Sequence, residues 1–329
     1  MSNMTVSVSP HIKDSTNTAT IMRDVLIALV PALIASGLIF GVRALLVTAV
    51  CVAFAVGGEW AFEKIVKKPS TIGDLSAAVT GVLLAFNLPV GIPLWQAAFG
   101  SLVAIIIVKQ LFGGIGQNFA NPAITARIIM LIAFSSTMTT WVFPDALARA
   151  ASALASPTTV ISGATDAISS ATTLVILKGE SARALPSIQN MLLGIRGGCL
   201  GETSAIALVL GGAYLLIRRV ISWHTPVAFV GTVFLFTLLV GGNLENSVYQ
   251  LLSGGLLIGA IFMATDYSTT PNTNWGRIIF GVGCGLITVL IRVWGNYPEG
   301  VSFSILLMNI LTPYISNFTR KKPLGGIEA

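Results

Sequence analysis

Charge is what this sequence has least of. Of its 329 residues, 19 are Lys or Arg and 13 are Asp or Glu, together 10%. An ordinary soluble protein carries roughly 25%. With 54% hydrophobic residues and a mean hydropathy of +0.85, too few charges remain to cover a water-soluble fold. That excludes a disordered chain and a typical soluble enzyme. Cysteine is equally sparse. Cys51, Cys199 and Cys284 stand far apart with no CxxC or Cys/His spacing, which excludes a disulfide scaffold and reads as packing. The two histidines, His11 and His224, have no partner at catalytic or metal spacing. The Ser/Thr/Asn-rich first 20 residues lack the basic-then-apolar order of a signal peptide.

What the sequence does have is apolar runs. A bilayer core of about 30 Å takes about 20 apolar residues per helix. Ten stretches approach that length: 24–42, 44–62, 72–88, 91–112, 124–143, 199–217, 222–241, 248–264, 277–295 and 300–318. The fold class expected is therefore an all-α integral membrane protein. Its parts are a cytoplasmic tail 1–23, a first five-helix half 24–143, an outer loop 144–198, a second five-helix half 199–318 and a cytoplasmic tail 319–329. Placing the N-terminus inside puts 13 Lys/Arg on the cytoplasmic side and 6 outside, in line with the positive-inside bias. The formal net charge of +6 is thus spread over cytoplasmic turns rather than gathered on one face, and no nucleic-acid partner is expected.

Two connections are too polar to be plain turns: Gly113-Gly-Ile-Gly-Gln-Asn-Phe-Ala-Asn-Pro-Ala123 and Thr265-Asp-Tyr-Ser-Thr-Thr-Pro-Asn-Thr-Asn-Trp-Gly276. They read either as surface turns with a proline stop or as broken helices whose free N–H and C=O groups build a site. Four carboxylates, Glu59, Asp74, Glu202 and Asp266, stand near span boundaries, where charge is costly. Asp74 and Glu202 share a local frame, Gly73-Asp-Leu-Ser-Ala77 and Gly201-Glu-Thr-Ser-Ala205. They read as helix caps or as polar contacts to a cofactor or ion. Glycines such as those of Gly281-Val-Gly-Cys-Gly285 lie inside apolar runs. That context suits close helix approach rather than a dinucleotide fingerprint.

The loop 144–198 turns small and polar at Ser162-Gly-Ala-Thr-Asp-Ala-Ile-Ser-Ser-Ala-Thr-Thr-Leu174. Composition alone reads it as a Ser/Thr linker. However, Asp166-Ala-Ile-Ser169-Ser-Ala171-Thr172 resembles the flavinylation motif D-x-x-[ST]-x-A-T, whose last threonine carries FMN through a phosphoester bond. Ser162-Gly-Ala-Thr165 is the alternative, but the residue six before Thr165 is Thr159, whereas Asp166 stands six before Thr172. Gly201-Glu-Thr-Ser204, Gly116-Gln-Asn-Phe-Ala-Asn-Pro-Ala123, Met263-Ala-Thr-Asp-Tyr-Ser-Thr-Thr-Pro271 and Tyr297-Pro-Glu-Gly-Val-Ser-Phe303 with Leu307-Met-Asn309 are similar to the RnfD/NqrB family. The resemblance runs from about residue 20 to 320, and the short N-terminal tail is more like the RnfD branch.

The resemblance implies a membrane subunit of a ferredoxin–NAD⁺ oxidoreductase in a prokaryotic plasma membrane, coupling electron transfer to Na⁺ or H⁺ movement. It implies a five-plus-five inverted repeat like that of urea transporters, and covalent FMN on Thr172. Asp166, Ser169 and Ala171, and Glu202 with Thr203, belong to the motifs beside it. A second flavin such as riboflavin is implied deeper in the bundle, with Asn118, Asn121 and Asp266 as candidate contacts or as an ion site. Partners implied are the other Rnf subunits (A, B, C, E and G type), a flavin transferase and membrane lipid. With no iron–sulfur spacing and nothing able to hold NAD⁺, clusters and the NAD⁺ site fall to those partners. The competing readings are an NqrB-like quinone-reducing subunit and a non-redox solute or ion transporter.

Overall fold

A computed structural model describes residues 16–141, 173–178, 185–194, 196–202, 204–295, 297 and 299–320. Among them the regular structure is helical, and the one β contact is an isolated bridge between Pro89 and Cys199. The all-α expectation holds. Among the described residues, five helices are long and apolar enough to cross a bilayer: Thr18–Phe40, Val42–Val66, His224–Gly241, Asn274–Trp294 and Val301–Phe318. A sixth span results if Leu244–Leu252 and Leu256–Met263, bent by 65° at their break, are counted together. Leu38, Leu239 and Phe318 stand out from these helices, each about four-fifths exposed. An apolar surface of that kind suits lipid rather than water.

The other apolar runs are shorter helices: Ser76–Phe86, Leu94–Gln110, Pro122–Ala133 and Ala205–Ile217. Ten of the eleven residues of Ser76–Phe86 are buried. At 1.5 Å per residue this helix is about 16 Å long, half the bilayer core. Hydropathy reads its run as a span because protein surrounds it on all sides; a buried core helix and a membrane helix look alike in composition.

Local chemistry sets the helix ends. Asn17 Oδ1 accepts from Thr20 N at 2.8 Å and caps the first helix. Gly41, at φ +76°, is the whole turn into the second, a left-handed backbone that glycine adopts without steric cost. The Asn-Pro of the first polar connection starts a helix rather than stopping one. Asn121 Oδ1 accepts from the Ala123 and Ile124 amides, and Pro122 takes the first helical position, where its missing N–H costs nothing. Thr273 caps Asn274–Trp294 through the Gly276 amide in the same way.

Asp74 and Glu202 each end a three-residue 3₁₀ turn, Ile72–Asp74 and Leu200–Glu202, just before a helix. Asp74 is not the N-cap, which is Leu75, but its Oδ1 accepts from the Ser76 amide at 2.7 Å and so satisfies one N–H of the first turn. Glu202 does not cap; Ser204 does, accepting from the Ala207 amide. The glycine reading is met as well. A Cβ on Gly281 would sit 2.8 Å from the Thr225 carbonyl, and one on Gly211 would strike the Ala28 carbonyl.

Among the described residues two stretches are π-helical, Val103–Gln110 and Gly259–Met263. Each leads directly into one of the two polar connections. Extra π turns are uncommon and concentrate at functional sites.

A candidate cofactor cleft and a buried arginine cluster

The two polar connections both line one open cleft. Asn118, Asn121 and Asp266 all line it, so three residues singled out from sequence come together although about 150 positions separate Asn118 from Ser268. Asn118 Nδ2 donates to Ser268 Oγ at 3.5 Å and Asn121 Nδ2 to the Met263 carbonyl at 3.5 Å. Asp266 accepts from the Ser268 amide and from the Ser268 and Thr269 hydroxyls at 3.2–3.3 Å. Burial pushes its carboxyl above the ordinary aspartate range, and those hydrogen bonds offset part of the rise. The walls are apolar, with Val79, Leu83 and Phe262 among them.

The cleft also holds a cation that sequence reasoning counted only as a topology marker. Lys109, on the first π-helix, lines it. Its ammonium donates to Glu59 Oε1 at 2.7 Å and to Ser76 Oγ at 2.6 Å. Gln110 Nε2 reaches the same Glu59 oxygen at 2.6 Å. The cleft thus combines apolar walls, two amides, a carboxylate and an ammonium, a set that orients a flat polar-edged ligand.

A second polar assembly lies toward the other end of Asn274–Trp294. Arg127 is held in an ion pair with Glu299 and donates to Asn87 Oδ1 and Ser302 Oγ, both at 2.9 Å. Burial works against the Glu299 carboxylate, but the Arg127 guanidinium outweighs it and holds the group below the ordinary glutamate value. Glu202 falls here, not in the cleft. One ligand atom each of Cys199, Glu202 and Glu299 lies within 4.8 Å of the other two. Three guanidiniums, those of Arg127, Arg196 and Arg292, surround these carboxylates, which disfavours a metal cation among them. Cys199 is therefore more than packing: its Sγ lies 3.3 Å from the Asn87 carbonyl and 3.6 Å from Arg127.

The two assemblies are joined. Asn87 Nδ2 lies 3.5 Å from Met263 Sδ, and the Met263 carbonyl is the one that Asn121 contacts. Lys109, Arg127, Arg196 and Arg292 are each 2–6% exposed, so they are interior groups and carry no vote on membrane sidedness. Without them the basic count is eleven against four, still on the same side. The signal was available in sequence: a lysine or arginine inside an apolar run must find partners.

Thr172, Thr165, Asp166, Ser169, Ala171 and Thr203 lie outside the described residues.

A profile of the NQR2, RnfD, RnfE family matches residues 5–325. The chain is 46% identical over 325 residues to an Acetobacterium woodii protein named as the D subunit of a Na(+)-translocating ferredoxin:NAD(+) oxidoreductase complex, covering 98% of this chain and 96% of that one. It is 41% identical to a Clostridium ljungdahlii protein named as the D subunit of a proton-translocating ferredoxin:NAD(+) oxidoreductase complex, again covering 98% and 96%. A Halorhodospira halophila protein named as the D subunit of an ion-translocating oxidoreductase complex is 37% identical, covering 96% and 94%.

Proposed function

The chain belongs to the NQR2, RnfD, RnfE family, and from that premise we propose that it is the multi-pass, D-type membrane subunit of an ion-translocating ferredoxin:NAD⁺ oxidoreductase. The observation that carries this is end-to-end similarity to a subunit so named, 46% identical over 98% of the chain. One relative's name specifies sodium and another's the proton, so the ion proposed is a small monovalent cation. The remaining Rnf subunits are the partners, and they hold the iron–sulfur clusters and the NAD⁺ site.

Within that role the subunit carries flavin. FMN is joined by its phosphate to Thr172 by a flavin transferase, on the outer side of the membrane. A second, non-covalent flavin occupies the cleft. The donor set fits: Asn118, Asn121 and Asp266 offer hydrogen bonds to a heterocycle edge, and apolar walls accept its faces. When bound, flavins supply one- and two-electron transfer, and the protein supplies position and electrostatics. Lys109 provides a positive charge at the cleft, and Asp266 a carboxylate that burial inclines to hold a proton.

The ten-segment, five-plus-five reading belongs to the same proposal. Its support is local: a 3₁₀ turn ending on an acid before a short helix in each half, and a π-helix before a broken connection in each half.

The test is co-expression with a flavin transferase, followed by mass spectrometry of the peptide 150–178 and ultraviolet fluorescence of a denaturing gel. The expected result is an FMN adduct and a fluorescent band lost in Thr172→Ala and kept in Thr165→Ala. Loss only in Thr165→Ala would move the attachment site. No adduct at all would favour a non-redox transporter.

A further inference from the structure

Glu59 and Glu63 stand four positions apart on Val42–Val66, which puts them on one face of the helix. They are 0% and 3% exposed. Glu59 makes its contacts through one oxygen. Oε1 accepts from Lys109 Nζ at 2.7 Å and from Gln110 Nε2 at 2.6 Å, and Thr71 Oγ1 lies 3.1 Å from it. Oε2 is buried with no partner among the described residues, so half of the carboxyl keeps its capacity to take up a hydrogen. Glu63 is held by Thr71, whose amide donates to its two oxygens at 3.1 and 3.2 Å and whose hydroxyl closely contacts Oε1.

Thr71 Oγ1 therefore touches both carboxyl groups, and a hydroxyl has a single hydrogen. Whichever carboxyl it serves, the other contact sets lone pairs against lone pairs. Both contacts become hydrogen bonds when a proton is shared among the three groups: Glu63 then donates to Thr71, and Thr71 donates to Glu59. This count involves only side chains in direct contact and does not depend on the charge of any group further away.

The row of contacts continues at both ends. Lys109 Nζ, bonded to Glu59, also donates to Ser76 Oγ at 2.6 Å, and Ser76 Oγ donates to Asp74 Oδ1. Lys109 and Ser76 line the cleft while being 2% and 5% exposed, so they belong to its inner wall. At the other end Thr71 is exposed and follows the exposed residues 64–70. Groups in hydrogen-bond contact thus connect the watered surface at 67–71 with the wall of the cleft. A ligand seated there covers the mouth of the cleft and leaves this wall as the side from which a proton can come.

We infer that Glu63, Thr71, Glu59 and Lys109 form a proton relay that serves the ligand of the cleft. The inference rests on the reading above that this ligand is a reducible flavin. As one electron from the complex enters the cleft, Lys109 gives one N–H proton to the reduced ligand and is left as a neutral amine. Glu59 passes a proton to that amine and re-forms the N–H bond. The Thr71 hydroxyl supplies Glu59 with its own hydrogen and takes one from Glu63, and Glu63 takes its replacement from water. One electron and one proton enter the ligand, and every residue of the relay ends as it began.

The test has two readouts. The first is the infrared carbonyl band of protonated carboxyl groups in the purified full chain at neutral pH, which needs no ligand. The difference between wild type and Glu63→Gln is expected to contain one such band, shifted in heavy water. Thr71→Val removes the bridging hydroxyl at nearly constant shape and is expected to move that band, whereas Thr71→Ser keeps the hydroxyl and is expected to leave it in place. The valine variant covers the case of a misfolded Glu63→Gln. Carboxyl bands that superimpose on the wild type in both Glu63→Gln and Thr71→Val would overturn the shared proton and with it the relay. The second readout is proton uptake, followed with an indicator dye while the flavin of the purified complex is reduced in a stopped-flow instrument. Thr71→Val is expected to slow uptake roughly 100-fold, the lower range for loss of a positioned proton donor, and Thr71→Ser to restore it. Uptake at the wild-type rate in Thr71→Val would overturn the relay and leave Asp266, which also lines the cleft, as the source. If the wild-type complex holds no flavin besides a covalent one, the cleft reading fails by itself, and the infrared bands still decide whether the shared proton exists.

Discussion

Lys109 places its ammonium 2.7 Å from Glu59 Oε1, both side chains at most 3% exposed, across 50 positions of sequence. This pair ties the first π-helix to Val42–Val66, and its Lys109 lines the cleft. Removing one member of a buried pair strands the other charge, which typically costs about 3–5 kcal/mol. Glu59→Gln or Lys109→Met is expected to lower the thermal midpoint of the detergent-purified protein by several degrees. The double variant is expected to recover much of the loss. Single variants that melt like the wild type would mean that the pair contributes nothing to holding these helices.

Asn118 offers its amide to the cleft without capping a helix, whereas Asn121 does both. Asn118→Ala is therefore expected to reduce the non-covalent flavin released by acid from purified protein, leaving the melting temperature close to wild type. The lost hydrogen bond, on the order of 1 kcal/mol, corresponds to a several-fold weaker retention. Asn121→Ala should reduce both quantities, since an N-cap is worth about 1 kcal/mol more. Unchanged flavin content in both variants would argue against the cleft as the flavin site.

Glu299 is held below the ordinary glutamate range by Arg127. A carboxylate with a depressed folded-state pKa contributes stability that is present above its unfolded value, about 4.3, and lost as pH falls through the folded value. Melting temperature is expected to drop as pH is lowered below about 4.3, and Glu299→Gln is expected to flatten that part of the profile. A variant profile parallel to the wild type would show that other groups carry the acid response.

Gly281 packs against the Thr225 carbonyl and Ala228, where a Cβ would fall 2.8 Å from each. Gly281→Val should force His224–Gly241 away from Asn274–Trp294. The expected cost is about 1–3 kcal/mol, the usual range for overpacking, read as a lower thermal midpoint. Gly231→Ala, with nothing within 4 Å of the added carbon, serves as the control and is expected to be neutral.

The cleft was partly legible in advance. Gly, Pro and Asn in an apolar chain mark backbone that cannot continue as a helix, so 113–123 and 265–276 stood out. Their mutual contact did not, because Asn118 and Ser268 meet only when both halves fold together. The span count was less legible. Apolar composition is the same for a helix facing lipid and for one such as Ser76–Phe86, enclosed by protein.

The sequence by itself determined that the chain is helical and membrane-bound, where its helices break, and which family it resembles. Each of these depends on composition or on residues close together along the chain. Only the tertiary structure decided which charges are interior. Arg127, Arg196 and Arg292 look like loop or boundary residues in sequence, yet they converge on Glu202 and Glu299 from separate helices and turns. A buried charge is defined by what surrounds it, and its surroundings come from segments more than 150 residues apart.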